Sequence, residues 1–327
     1  MTTTTKFMLS SVAIGSILAL GAPACAAPPT KVWVASTGVD NASCGTVTAP
    51  CRTFVGAEVN VAAGGEIGVL TPGDYGDPSF ATFITKSLAL TNDGIGEAGI
   101  QRGDGTALAL FAGNGDIVSL RGLTFDGVIG GNVGIEILHN MSAVHIQNCV
   151  IKNFQSPGFG ILNHSTIGQL LISDTLIYNN GSIAGTGGIV LRGNVNVTLD
   201  RVHLENNVVG LLADGTDDTD TTVKGIFVVV RDSVAAANAA DGIFARTKAG
   251  RGPAFMVVER GTSVNNAGSG IHADGPGATV LLSDSTISRN GAGVSTANGG
   301  QLISYGNNRN NNNVGPEGVP TGFFGLF

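Results

Sequence analysis

Lys152, Tyr178 and Glu205 follow one another at intervals of 26 and 27 residues, with His203 two positions before the last. In a chain that winds with about that period, the three form one column. A lysine, tyrosine or histidine base beside a carboxyl group is the equipment for general acid–base proton transfer. The competing reading is a hydrogen-bonded polar column on a solvated sheet. A second constellation is the loop DGTDDTD, where Asp214, Asp217, Asp218 and Asp220 crowd carboxylate oxygens of the kind calcium takes. The loop of the following repeat carries Arg246, Lys248 and Arg251, so the acids also read as partners of those bases. A third column, two residues after a recurrent glycine, reads Glu136, Leu162, Val190, Leu212, Phe244, His272. Its apolar middle implies a cover or a ligand, and Phe244, His272 and the nearby Arg246 are its binding candidates. The five histidines show neither HxH nor HExxH spacing, and GxSxG and phosphate-loop motifs are absent.

These columns exist only if the chain repeats. Gly-apolar pairs begin at Gly134, Gly160, Gly188, Gly210, Gly242, Gly270 and Gly293, with spacings of 26, 28, 22, 32, 28 and 23. Asparagine recurs at Asn180, Asn207, Asn238, Asn266, Asn290 and Asn310. Eight residues before each lies an apolar residue: Ile172, Leu199, Val230, Val258, Leu282, Leu302. The segments between alternate apolar and polar residues, as in VHIQ and VTLD, which is a strand pattern and not a helical one. Each repeat therefore reads as an apolar strand, a bend and an Asn turn. Asn tolerates left-handed backbone, and its amide bonds to an Asn stacked above it. Val118, Leu120, Val144, Ile146, Leu170, Ile172, Val197, Leu199, Val228, Val230, Val280 and Leu282 are the expected inward core.

Stacking also accounts for the charges. The column before the Asn turn reads Asp174, Arg201, Asp232, Arg260, Asp284, and a neighbouring one reads Asp200, Arg231, Glu259. Four residues past the glycine come Arg192, Asp214, Arg246, Asp274. Each alternates in sign, and opposite charges on adjacent coils attract by ~0.2–1 kcal/mol per pair.

This pattern resembles the right-handed parallel β-helix of the pectate-lyase-like superfamily over roughly residues 31–314. The stretch from Trp33 to Tyr75, WVASTGVDNASCGTVTAPCRTFVGAEVNVAAGGEIGVLTPGDY, is similar to the N-terminal cap of secreted bacterial β-helix proteins. The resemblance implies an all-β, single-stranded right-handed parallel solenoid with a short capping helix. Thr53 is placed to cap TFVGAEVNVA, which Gly64-Gly65 should end. It does not imply one activity, since the fold carries lyases, hydrolases, epimerases and adhesins. The Asp/Glu cluster with Arg or Lys base of calcium-dependent pectate lyases does not stand clear of the charge columns. The NTD, DD, HG and RIK set and the DPHD motif are missing.

Composition sets the remaining bounds. The chain has 327 residues, a net charge of −7 and only 13% charged residues, which disfavours nucleic acid as a partner. Residues 1–26 read as a secretory signal: Lys6, an apolar run, and cleavage near Ala26-Ala27. No later segment is long and apolar enough to span a membrane, so the expected location is secreted or periplasmic. Cys44 and Cys51 then form a disulfide across a short loop, and Cys149 is a buried thiol. The expected layout is a cap over 27–65, a β-helix over 66–314 and an apolar tail over 315–327 that covers the far end or lies along a sheet. No cofactor is required, calcium being the one candidate. The expected function is presentation of an elongated surface to a glycan or another cell-surface component. The alternative is a polysaccharide-active enzyme, a uronan lyase.

Overall fold

The computed structural model describes residues 27–128, 130–216 and 225–325, together with Thr2. Its strands form three parallel sheets, and the chain visits them in rotation. One coil illustrates the cycle: Ala143–Gln147 lies in sheet 1, Val150–Lys152 in sheet 2 and Phe159–Asn163 in sheet 3, before Ile167–Ser173 returns to sheet 1. Sheet 1 has 12 strands, sheet 2 has 10 and sheet 3 has 9.

Ile172, Leu199 and Val230 are register partners in sheet 1, and all three are buried. The other expected inward residues, from Val118 to Leu282, are buried with them in one continuous core. Two left-handed residues per coil turn the chain. One joins sheet 1 to sheet 2 (Asn148, Asp174, Arg201, Asp232, Arg260, Asp284); the other joins sheet 2 to sheet 3 (Asn153, Asn179, Asn206, Ala237, Asn265, Arg289).

The residue after the second bend is the buried asparagine. The Oδ1 of Asn207 accepts from the backbone N–H and Nδ2 of Asn180, and the same pairing recurs from Asn238 to Asn266 and from Asn266 to Asn290. The final rung is Asn313, whose Oδ1 accepts from Asn290, and not Asn310 as the spacing predicts. Asn310 instead accepts from Asn313. The recurrent glycines belong to the same device. A Cβ at Gly160, Gly188 or Gly210 would stand 3.1 Å from Nδ2 of Asn180, Asn207 or Asn238. A side chain there would crowd the ladder and, at 2.5–2.6 Å, the glycine carbonyl of the next coil.

The ends are closed as the exposed strand edges of a solenoid require. Lys31–Val34 is already the first strand of sheet 1, paired with Gly65–Val69. The cap holds the Cys44–Cys51 disulfide and the helix Phe54–Asn60. Thr53 caps that helix by accepting from the Gly56 N–H. The helix stops at Asn60, before the glycines expected to end it. Val61 is extended, and Lys86 Nζ donates to the carbonyls of Glu58 and Val61, satisfying orphan groups of the last turn. At the other end the tail meets the last coil through its backbone, while Phe323 and Phe324 stay 66% and 50% exposed. Gly322–Phe323 pairs with Ile303 and Ser304 as the last strand of sheet 1, and the N–H groups of Gly293 and Val294 donate to Pro316 and Glu317. Leu326 and Phe327, and all but Thr2 of the expected signal segment, lie outside the described residues. No helix among the described residues is long and apolar enough to cross a membrane.

Candidate functional site

On sheet 2 the structure brings Lys152, Tyr178 and Glu205 into one column as consecutive register partners. His203 Nδ1 lies 2.9 Å from Glu205 Oε1. Below the column, Asp126 is the register partner of Lys152, and Lys152 Nζ lies 3.5 Å from Asp126 and 3.6 Å from Glu97. Burial pulls the Lys152 pKa down, but Tyr178, Asp126 and Glu97 more than offset it and the net direction is upward. A base for proton abstraction needs the opposite shift. The adjoining open groove, of about 270 Å³, is lined by Asp74, Glu97, Gln101 and Thr124.

Sheet 3 holds the column Glu136, Leu162, Val190, Leu212, Phe244, His272 in unbroken register. Its apolar middle is not a free surface. Leu162, Val190 and Leu212 are buried in a second apolar cluster with Val133, Phe159 and Val209, separate from the core. The column becomes accessible at Phe244 and His272, whose rings stack at 4.4 Å and 6°. His272 Nδ1 is held by Asp241 at 3.0 Å, and Asp241 also accepts from the Ser269 N–H. Arg246 lies over Phe244, 5.9 Å from the ring centre. At the other end, Glu136 accepts from Thr106 and faces His164; His164 is the main reason its pKa lies below the usual carboxylate value.

Asp214, placed in a calcium set by its sequence, is sealed from solvent. Its carboxylate accepts from Arg246 at 2.8 and 2.6 Å and from the Thr216 hydroxyl at 2.6 Å. Burial alone would raise its pKa; the bonds from Arg246 and Thr216 outweigh that and hold it below the usual range. A carboxylate so engaged has its charge answered by Arg246 and most of its lone-pair sites taken by Arg246 and Thr216. Asp217, Asp218 and Asp220 lie outside the described residues. Among the described residues, one trio of ligand-type atoms comes close together: Asp40, Cys44 and Cys51. Its sulfurs form the disulfide, and Asp40 accepts from Arg52 and Thr53, so it is not a metal site. The charged bends also pair internally: Arg201 grips Asp174 with two hydrogen bonds, and Arg260 grips Asp232 likewise.

Sheet 1 presents a different outer surface. Phe227 and Phe255 are register partners with ring centres 6.4 Å apart, and Phe227 is 44% exposed. Beside Phe227 opens a groove of about 350 Å³ lined by Thr166, Gly168, Asn194, Asn196 and Pro253 among others. Its lining is mixed: Ile167, Val195 and Phe227 with the amide of Asn196 and the hydroxyl of Thr166.

Residues 108–275, just over half of the chain, match the family described as right handed beta helix region. The chain belongs to the right-handed β-helix family. Among solved structures, this β-helix is similar to one titled "Crystal structure of pectate lyase Pel9A". The TM-score is 0.52 at 13% identity, over 84% of this chain and 75% of that one. A likeness at that identity establishes the fold. No curated protein matches this chain.

The aromatic pair of this β-helix escaped the reading of its sequence, which followed titratable residues. The signal was present: IFVVVR and AFMVVE place a phenylalanine at the same offset of two strands 28 residues apart. Asp241, the partner of His272, sits 31 residues earlier on a turn and belongs to no column.

Proposed function

We propose that this right-handed β-helix is a secreted, non-catalytic carbohydrate-binding protein and that its ligand lies on the outer face of sheet 1. The supporting observation is the Phe227–Phe255 pair beside an open groove lined by Asn196 and Thr166 among others. Aromatic rings cover the C–H faces of sugars, and amides and hydroxyls meet their hydroxyl groups. The test is affinity electrophoresis of the full chain through gels loaded with soluble polysaccharides. Retardation by at least one of them, lost in Phe227→Ala/Phe255→Ala, supports the reading. Identical migration of wild type and variant in every gel overturns it.

The alternative, a uronan lyase using Lys152, Tyr178 and Glu205, draws on the fold shared with a pectate lyase. The upward shift of Lys152 counts against it. Ultraviolet-absorbing unsaturated product from polygalacturonate or alginate, with or without calcium, would restore it.

A further inference from the structure

We infer that the polymer taken by sheet 1 is a neutral glycan laid along the direction in which the coils stack; the inference rests on the carbohydrate-binding reading above. Three outward columns run along this sheet, the first two through six consecutive coils and the third through five of them. The first reads Gln169, Asn196, Phe227, Phe255, Thr279, Gln301. The second reads Leu171, Thr198, Val229, Val257, Leu281, Ile303. Neither contains a charged residue.

Charge is confined to the third column, Ser173, Asp200, Arg231, Glu259, Ser283. There Arg201 engages Asp200, and Arg260 engages Glu259. Arg231 alone in this column is a cation, and it forms no ion pair within 4 Å with a described residue. A polyuronate carries one carboxylate per sugar. Laid on these columns it would set a row of anions over valine, leucine and isoleucine with one arginine to answer them. An unpaired charge moved from water onto an apolar surface is disfavoured, and a weak glycan site has little affinity to set against that. A neutral sugar meets no such penalty.

The polar groups that remain suit hydroxyls. Asn196 donates one amide hydrogen to the Gly168 carbonyl at 3.2 Å, which leaves its Oδ1 open. Gln169 and Gln301 are exposed, and neither side chain has a hydrogen-bond partner among the described residues. Each offers a donor and an acceptor, the two needs of a sugar hydroxyl. Because neighbouring coils lie ~4.8 Å apart, a chain running along the columns meets a fresh residue of each column at every rise. Affinity therefore grows with chain length along that axis.

The experiment compares galactomannan, xylan and hydroxyethyl cellulose with polygalacturonate and alginate, using the full chain in affinity gels at low and high salt. The expected result is retardation by a neutral polymer, unaffected by salt and by Arg231→Ala, and weakened about tenfold or more in Phe227→Ala/Phe255→Ala. Asn196→Ala, which leaves the rings in place, should weaken it less, and a hexasaccharide of the bound polymer should bind more tightly than its disaccharide. Circular dichroism checks that each variant is folded. Retardation by polyuronates alone, abolished by salt or by Arg231→Ala, overturns the neutral class while leaving the carbohydrate reading intact. No retardation by any polymer overturns both. Light scattering that shows a dimer, converted to monomer by the phenylalanine variant, replaces the glycan with a second copy of the chain.

Discussion

Asn238→Ala is the sharpest probe of what holds the coils in register. The Asn238 side chain makes three buried hydrogen bonds: Oδ1 accepts from the Asn207 N–H at 2.9 Å, and Nδ2 donates to the Leu204 carbonyl at 3.1 Å and to Asn266 Oδ1 at 2.8 Å. Removing it strands the Asn207 N–H and takes a donor from Leu204, while Asn266 Oδ1 keeps the Asn238 N–H. One orphaned buried group at 1–3 kcal/mol plus two lost bonds near 1 kcal/mol each gives a cost of about 3–5 kcal/mol. Solenoid coils open locally, so the assay is native-state hydrogen exchange at the Asn207 amide. At 1.4 kcal/mol per tenfold, its protection should fall on the order of a hundredfold or more. Gly210→Ala, whose new Cβ would stand 3.1 Å from the same Nδ2 and 2.5 Å from the Gly242 carbonyl, should expose the same amide. Protection within a factor of about five of wild type in Asn238→Ala would refute the reasoning, because that factor is worth only ~1 kcal/mol.

Other outcomes follow from the same geometry. Asp214→Asn should destabilise the fold by about 2 kcal/mol by thermal or urea unfolding, less than a fully buried pair would lose because Arg246 is 30% exposed. The folded-state pKa of Asp214 is depressed below its usual 3.8, so its contribution is present above that value and lost as pH falls through the lower folded one. Wild-type and Asp214→Asn stability curves should therefore converge in acid; a gap that stays constant would contradict the pairing. Ala237 holds a left-handed bend where four neighbouring coils carry Asn. Ala237→Asn should raise stability by roughly 0.5–1 kcal/mol, and a loss would mean that the bend is set by something other than backbone strain.

The solenoid was legible because its repeat is written in residues with one job each. Alternating valine, isoleucine and leucine mark the strands, and asparagine and glycine mark the corner where they touch. That was enough to pair Lys152 with Tyr178 and Ile172 with Leu199 correctly. It failed where the marker becomes degenerate: in the run NNRNNNN the spacing selects Asn310, while the rung is Asn313. It foresaw a cover over Leu162, Val190 and Leu212, which point away from the core and are buried, but not that Val133, Phe159 and Val209 of the same chain join them there. Column reading gives which residues are neighbours, not what lies over them. Cys149 shows the opposite case: an apolar setting alone predicts an inert thiol, and burial pushes its pKa up to about 11.

The asparagine ladder has a consequence for how such a chain can change. From Asn180 onward register is secured at one corner of each coil, so the segments away from that corner need not keep a fixed length. The glycine spacing already ranges from 22 to 32 residues without a break in the pairing of Asn196 with Phe227 or of Phe227 with Phe255. A lineage can thus lengthen, shorten or replace the connector between Arg246 and Ala254 and rewrite the flank of the molecule, while the platform beside it is inherited intact.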